Sequence, residues 1–442
     1  VAMEETQLVT AKDLDSCFDL CVLGLGYIGL PTAVVFAQSG LRVLGVDINA
    51  DRVRDIGQGT LRIDEPGLKE ALDSAMKQGC LRTSTDVQPA RHFLIAVPTP
   101  LKDDKTADVS NIWAAAEAIA PVLSRGDLVI LESTSPPGTT KALRDYLADL
   151  RKDLNFDSGK EECVSIAYCP ERVMPGRILN EFATNSRVVG GIDTEATERA
   201  AHLYSLATKS EVLKTDAPTA EMVKLAENAY RDVNIAFANE LSMLAAEHDV
   251  DAWELVQLAN NHPRVNILNP GPGVGGHCIA VDPWFLASTS DNAPLIETAR
   301  GVNNGKTRWV VEEISCEIVN GAWEEIVFYG VTYKADVDDL RESPALAVVD
   351  KCLQRFPDKR FFVVDPMVKR EAHEVSAIRN AELVTAFEAG GAGVLHVLLV
   401  AHSAFETMEV FADSTAKVLD FVGLRSSRRF KLLGSGELGK VH

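Results

Sequence analysis

The chain has no CxxC pair, no apolar run of bilayer length and no excess of basic charge. Its eight cysteines (Cys17, Cys21, Cys80, Cys163, Cys169, Cys278, Cys316 and Cys352) are scattered singly over 442 residues. That spacing excludes a disulfide framework and a paired-cysteine zinc site, so no metal is expected. No stretch reaches the ~20 apolar residues that span a bilayer. The N-terminal segment lacks a basic-then-apolar leader pattern, so a reducing, cytoplasmic setting is expected. Acidic residues outnumber basic ones, 64 to 44, for a net charge of −20. Nucleic acid and anionic membrane are therefore poor partners, because both bind basic surface. An anionic small molecule would need a local cluster of arginine and lysine.

What is present reads as an α/β protein too long for one core. From Phe18 to about Ser210, strand-like runs (FDLCVLG, LRVLGVD, HFLIAVP, DLVILES, CVSIAYC, SRVVGG) alternate with helical patterns. Such alternation predicts a doubly wound parallel sheet with helices on both faces. A helical stretch follows. Asp216 is a plausible N-cap with Pro218 in the first turn, and Met222, Leu225, Ala229, Val233, Phe237, Leu241 and Leu244 recur at helical spacing towards His248. A helix of that length spans between domains or dimerises. Strand-like runs resume from Trp323 (EEIVFYGV, RFFVVD, VLHVLLVA, KVLDF). The expectation is two Rossmann-like domains, 17–212 and 322–442, joined by a central helical region, 213–321. Both chain ends, including the tail LLGSGELGKVH, are expected to fray.

Gly24-Leu-Gly26-Tyr27-Ile28-Gly29 follows the first strand and opens a helix, and Asp47 ends the second strand. In that context the GxGxxG pattern predicts a dinucleotide site. Gly24 makes the tight turn, Gly26 admits the pyrophosphate to backbone amides, and Gly29 lets helix and strand pack closely. Asp47 would bond the adenosine ribose hydroxyls and repel a 2′-phosphate, favouring NAD over NADP.

Asn269-Pro-Gly271-Pro-Gly273-Val-Gly275-Gly276-His277-Cys278-Ile-Ala-Val-Asp282-Pro283 sets four glycines before one cysteine. The glycines would let a ligand approach the backbone. Asp282-Pro283 reads as a helix start, which would put Cys278 near a helix N-terminus where thiolates are favoured. Cys17, Cys21, Cys80, Cys163, Cys316 and Cys352 are expected to be packing residues, and Cys169 lies beside another motif. Lys224 and Asn228, four residues apart, share one helix face. His262 and His277 lack partners at metal-ligand spacing and read as structural.

Seven ordered segments resemble the UDP-glucose/GDP-mannose dehydrogenase family: GLGYIGLP, VPTP (97–100), STSPPGT (133–139), CPERVMPG (169–176), EMVKLAENAYRDVNIAFANE (221–240), PGPGVGGHCIAVDP (270–283) and GVTYKADVDDLRESPA (330–345). Residues 262–285 are most similar to the branch acting on UDP-N-acetylmannosamine. Val281 stands where UDP-glucose enzymes usually carry lysine. UDP-N-acetylglucosamine and UDP-glucose remain alternatives.

The resemblance implies NAD-dependent, four-electron oxidation of a UDP-sugar at C6 through a cysteine thiohemiacetal and thioester. It implies catalytic roles for Cys278, Lys224, Asn228, Asp282, Glu171 and Thr134. NAD contacts fall on Gly24, Gly26, Tyr27, Ile28, Gly29, Asp47, Arg52, Thr99, Thr134 and Arg341. Substrate contacts fall on Glu171, Arg172, Val173, Lys224, Asn228, Arg264, Asn266, Gly273, Gly275 and Lys334, with Arg264 reaching a neighbouring subunit's site. It further implies a homo-oligomer, at least a dimer. His402 takes no role. The rival readings are a two-electron hydroxyacid dehydrogenase and a non-catalytic sugar-nucleotide-binding protein.

Overall fold

The computed structural model describes residues 17–425 except 62, 64, 158, 161, 175, 369–380, 385–392 and 414. The expected fraying of both ends, and the outer limit at 442, lie outside the described residues. The chain divides into two compact units, Val1–Ala226 and Glu227–His442.

The first unit carries an eight-stranded sheet in the order β3-β2-β1-β4-β5-β6-β7-β8. Its strands are β1 (Phe18–Leu23), β2 (Val43–Val46), β3 (Leu81–Ser84), β4 (Ala90–Ile95), β5 (Leu128–Leu131), β6 (Ser165–Tyr168), β7 (Arg187–Gly191) and β8 (Val212–Asp216). Alternate residues of β1 enter two separate cores, Leu20 and Val22 on one face, Cys21 and Leu23 on the other. Burial on both faces accounts for the near-continuous apolar strands. The strand order reverses direction between β1 and β4, where open α/β sheets bind ligands at their carboxyl ends. The helix α1 (Gly29–Gln38) starts there.

One pairing departs from the expected parallel sheet: β7 runs antiparallel to β6. An antiparallel neighbour needs no crossover, so the connection 169–186 stays at the carboxyl end of β6. That topology delivers Glu171 to the same end of the sheet as the glycine loop after β1 and the Thr134 loop after β5. Strands β3 and β8 escaped the sequence reading because they form the two edges, where LRTS and VLKTD are largely half-exposed or exposed.

A 31-residue helix, α2 (Ala217–Glu247), follows β8. At 1.5 Å per residue it is about 46 Å long. Asp216 accepts the Thr219 amide at 2.8 Å, the N-cap bond expected of it. Beyond α2 come α3 (Ala252–Ala259), the short α4 (Asp282–Ala287) and α5 (Pro294–Asn320). The second sheet has the order β11-β10-β9-β12-β13, all parallel, from β9 (Glu325–Tyr329), β10 (Arg360–Val364), β11 (Glu382–Val384), β12 (Val394–Leu398) and β13 (Val418–Asp420). It too is covered on both faces by apolar residues. Its direction reverses between β9 and β12, and the motif carrying Lys334 leaves from the end of β9.

Candidate active site

At the first switch point the glycines differ in what surrounds them. Gly24 has φ +94°, and a Cβ there would lie 2.5 Å from the Ala96 carbonyl oxygen. A Cβ on Gly29 would lie 1.9 Å from the Gly24 oxygen, so helix and strand demand glycine for their own packing. A Cβ on Gly26, by contrast, would meet nothing within 4 Å beyond its chain neighbours. The protein itself leaves that face open, and a diphosphate fits the cradle. The Asp47 carboxylate, 6 % exposed, closes the loop by accepting the Leu25 and Asn49 amides at 2.9 Å each. Arg52 places Nη1 2.9 Å from the same carboxylate. Thr99 donates its hydroxyl to the Thr134 carbonyl at 2.7 Å, joining the loops after β4 and β5. Glu221 of α2, fully buried, accepts the Gly138 amide and both the amide and hydroxyl of Thr140 at 2.6–2.7 Å. It thereby caps the helix Thr139–Leu150 and fixes the loop carrying Thr134.

Glu171 is buried at the carboxyl end of β6, against Arg187 at the start of β7, with Nη1 3.3 and 3.4 Å from its two oxygens. Arg187 is 1 % exposed and lies 3.8 Å above the Phe182 ring. A second buried carboxyl group, Glu132, accepts the Tyr204 hydroxyl at 3.2 Å and the Thr32 hydroxyl at 3.4 Å. Burial, with Glu171 adding repulsion, pushes Glu132 up to about 8. Cys169, wholly enclosed in the same cluster, has its thiol pushed by burial up to about 12 and is no nucleophile. Arg172 donates to the Ser186 carbonyl at 3.2 Å, and the Val173 side chain packs on the first core.

In the second unit, Cys278 is exposed. Its carbonyl accepts the amides of Val281 and Asp282 at 3.0 and 2.8 Å, which seats it one turn before α4. The Asp282 carboxylate does not cap that helix: it is 3 % exposed and accepts Nδ2 of Asn228 at 2.5 Å. Asn228 is thus joined to the Cys278–Asp282 turn, across 54 residues of chain to Asp282, and Lys224 stands one turn before Asn228 on α2. Upstream, Asn239 anchors the loop. It accepts the Gly271 amide at 2.9 Å and donates to Asn303 at 2.9 Å. Asn303 donates to Asp232, whose carboxylate pairs with Arg300 at 2.6 Å. Gly271 is open as expected, but the other three glycines of this loop are not. A Cβ on Gly273 would meet the Thr307 hydroxyl, on Gly275 the Glu342 carbonyl, and on Gly276 the Tyr333 ring. Close approach by the protein's own chain, rather than by a ligand, requires them. Arg264 and Asn266 are exposed near the start of the loop.

Lys334 is exposed at the second switch point, on a turn held by a buried clasp. His402 accepts the Asp336 amide on Nδ1 at 3.0 Å, which leaves Nε2 to donate to Asp365 at 3.3 Å. Asp365 in turn accepts the Val331 amide at 2.7 Å. Arg341 grips Asp339 through Nε and Nη2.

Three matches to one family cover most of the chain. The NAD binding domain of the UDP-glucose/GDP-mannose dehydrogenase family matches residues 18–208, its central domain 218–305 and its UDP binding domain 327–424. The chain belongs to the UDP-glucose/GDP-mannose dehydrogenase family. It is an NAD-dependent UDP-sugar dehydrogenase, an oxidoreductase. It is 48 % identical over 413 residues to the NDP-N-acetyl-D-galactosaminuronic acid dehydrogenase of Ralstonia nicotianae, covering 93 % of this chain and 97 % of the relative. It is 46 % identical over 406 residues to the UDP-N-acetyl-D-mannosamine dehydrogenase of Campylobacter jejuni, covering 91 % and 98 %. The solved UDP-D-ManNAc dehydrogenase from Pyrococcus horikoshii superposes with a TM-score of 0.79 at 36 % identity, over 92 % of this chain and 96 % of that one.

For this dehydrogenase the sequence reading missed the residues that hold others in place: Glu221, Arg187, Asn239, Asp232, Asn303 and the His402–Asp365 clasp. Glu221 and Asn239 stood inside a matched motif, which was a signal. His402 had been given no role. Cys316 corrects the packing expectation, since it is exposed on α5 and accepts from Asn320 Nδ2 at 3.2 Å. Among the described residues no group of three or more His, Cys, Asp or Glu is placed to hold a metal ion, and no helix is long and apolar enough to cross a membrane.

Proposed function

We propose that the enzyme oxidises a UDP-N-acetylhexosamine, UDP-N-acetylmannosamine first among them, at C6 to the uronic acid. The observation that carries the reading is the exposed Cys278, whose backbone is clamped by Asp282 while the Asp282 carboxylate is held by Asn228. Gly24–Gly29 and Asp47 would hold NAD⁺, and two NAD⁺ taken in turn would accept the two hydrides, one in each oxidation. Oxidation of the alcohol gives an aldehyde, which has no hydride to yield until a nucleophile adds to its carbonyl. The Cys278 sulfur adds there, oxidation of the thiohemiacetal leaves a thioester, and water releases the acid and the thiol. Lys224 and Asn228 stabilise the alkoxide and tetrahedral oxyanions. Glu171 assists hydrolysis, Thr134 positions water, and Asp282 takes part in proton transfer. Tyr27, Ile28, Arg52, Thr99 and Arg341 contact NAD. Arg172, Val173, Arg264, Asn266, Gly273, Gly275 and Lys334 contact substrate.

The work divides among an NAD domain, 17–212, a dimerisation region, 213–321, and a UDP-sugar domain, 322–442. A dimer through α2 is supported by the exposed Tyr230, Phe237 and Leu244, which recur every seven residues as one apolar stripe. The setting is cytoplasmic. A second reading, the galactosamine epimer, is favoured by the name of the Ralstonia relative.

Following NADH at 340 nm against a panel of UDP-sugars tests the assignment. Two NADH per UDP-N-acetylmannosamine are expected, and Cys278→Ala should form no acid. One NADH per sugar, or acid formation by the variant at the normal rate, overturns the thioester route.

A further inference from the structure

We propose that a recess in the second unit, walled by Ser242, Trp253, Lys306, Trp309 and Phe421, binds a small planar organic anion. None of these residues is assigned to the sugar or the dinucleotide, and the inference does not rest on the proposed substrate. The recess has a volume of about 300 Å³, at the small end for a ligand site and tight for a nucleotide sugar.

Its chemistry is set by Lys306 on α5. The side chain is 3 % exposed, donates from Nζ to the Ser242 hydroxyl at 2.8 Å and lies 3.7 Å above the Trp309 ring. The buried guanidinium groups of Arg187 and Arg300 each face a carboxylate. Lys306 has no such partner among the described residues. An ammonium enclosed without a counter-charge is costly, and burial lowers its value to about 7. The indole Nε1 of Trp253, packed against Gly423, is buried and has no hydrogen-bond partner. An ammonium has three N–H donors, and those not given to Ser242 suit a carboxylate. Trp309 and Phe421, edge to face with ring centres 6.2 Å apart, supply flat walls for an aromatic body. The acidic groups of the lining are already engaged. Asp420 accepts the amides of Val422, Gly423 and Arg425, and Asp251 accepts those of Trp253 and Glu254. Glu313, further along α5, is the charge that favours the protonated amine.

Salicylate, with the uncharged salicylamide as control, tests the site by calorimetry on the full chain. Salicylate should bind, and should weaken about 10-fold or more in Lys306→Met, the scale of one lost charge-assisted hydrogen bond. Salicylamide should bind about 10-fold more weakly than salicylate. Affinity should fall as pH rises above the amine's value of about 7. Trp253→Phe, which removes the indole N–H and narrows this wall, should weaken salicylate several-fold and stands in if the lysine variant does not fold. Saturating UDP should leave the affinity unchanged, and Lys306→Met should keep UDP-sugar oxidation. No binding at millimolar salicylate, equal affinity in the variants, equal binding of salicylamide, or displacement by UDP would overturn the proposal.

Discussion

Glu132→Gln should make the enzyme's N-terminal sheet more stable near pH 8 and leave it almost unchanged near pH 5. Glu132 follows β5, is 2 % exposed and sits near the buried Glu171–Arg187 pair. Burial first, then the Glu171 charge, raises it from 4.5 to about 8. Below 4.5 both folded and unfolded chains hold the proton, and the group exerts no pH effect. Between the two values the unfolded chain has released a proton that the native chain still binds. Stability therefore declines as pH rises through this window, by about 1.4 kcal/mol per unit, and levels off above about 8. The whole window amounts to about 4–5 kcal/mol, an upper figure because Arg187 and relaxation of the cluster share the charge. Glutamine removes the titration and keeps the shape. Its carbonyl can accept one of the two hydroxyls, Thr32 or Tyr204, and its amide can donate to the other. Urea titrations of both proteins from pH 5 to 8, read by hydrogen exchange of peptides from β1 to β5, give the difference free of other titrating groups. A difference that does not change with pH would refute the buried-acid account.

The glycine cradle makes a paired prediction. Gly29→Ala should fail to accumulate as folded protein because its Cβ meets backbone, whereas Gly26→Ala should melt like the parent and raise KM for NAD about 10-fold or more. Asn239→Ala should lower stability by about 1–3 kcal/mol in thermal melts, having stripped acceptor and donor from a buried relay. It should also lower kcat more than it changes KM, with Asn239→Asp recovering part of the loss because it can still accept the Gly271 amide; an unchanged kcat would show that the relay does not set the cysteine loop. Lys306→Met should abolish a rise of stability with pH between about 7 and 10.5, since the native amine gives up its proton before the unfolded one does. Parallel pH–stability curves for the two proteins would contradict it.

What could be read from the sequence was what acts over a few residues. Gly24 and Gly29 are legible because their clashes are local to one strand–turn–helix, and the shared face of Lys224 and Asn228 follows from helix geometry. The Asn228–Asp282 bond spans 54 residues, Glu221 to Thr140 spans 81, and His402 to Asp336 spans 66. No periodicity announces such pairings, because each depends on how distant elements pack. The matched motifs did mark several of the residues involved, although not what they touch. The edge strands were hidden for a different reason: with one neighbour each, β3, β8 and β11 need less apolar surface and carry little pattern. The antiparallel turn at β6–β7 was illegible too, yet it is what brings Glu171 to the cofactor end of the sheet.

The charge balance also has a structural reading. An enzyme with net charge −20 that takes anionic ligands would be expected to set its cations free, but three arginines near the motifs are tethered. Arg52 is held by Asp47, Arg341 by Asp339 and Arg187 by Glu171. A guanidinium has five donors in a fixed fork, and a carboxylate occupying one edge leaves the other edge aimed. The acidic partner reduces the net charge felt at long range and in exchange fixes the direction of the remaining N–H groups. Such an arrangement favours ligands whose oxygens match that geometry over any anion that merely arrives. In a protein whose net charge of −20 repels anions at a distance, recognition of a diphosphate then rests on shape and on aligned donors.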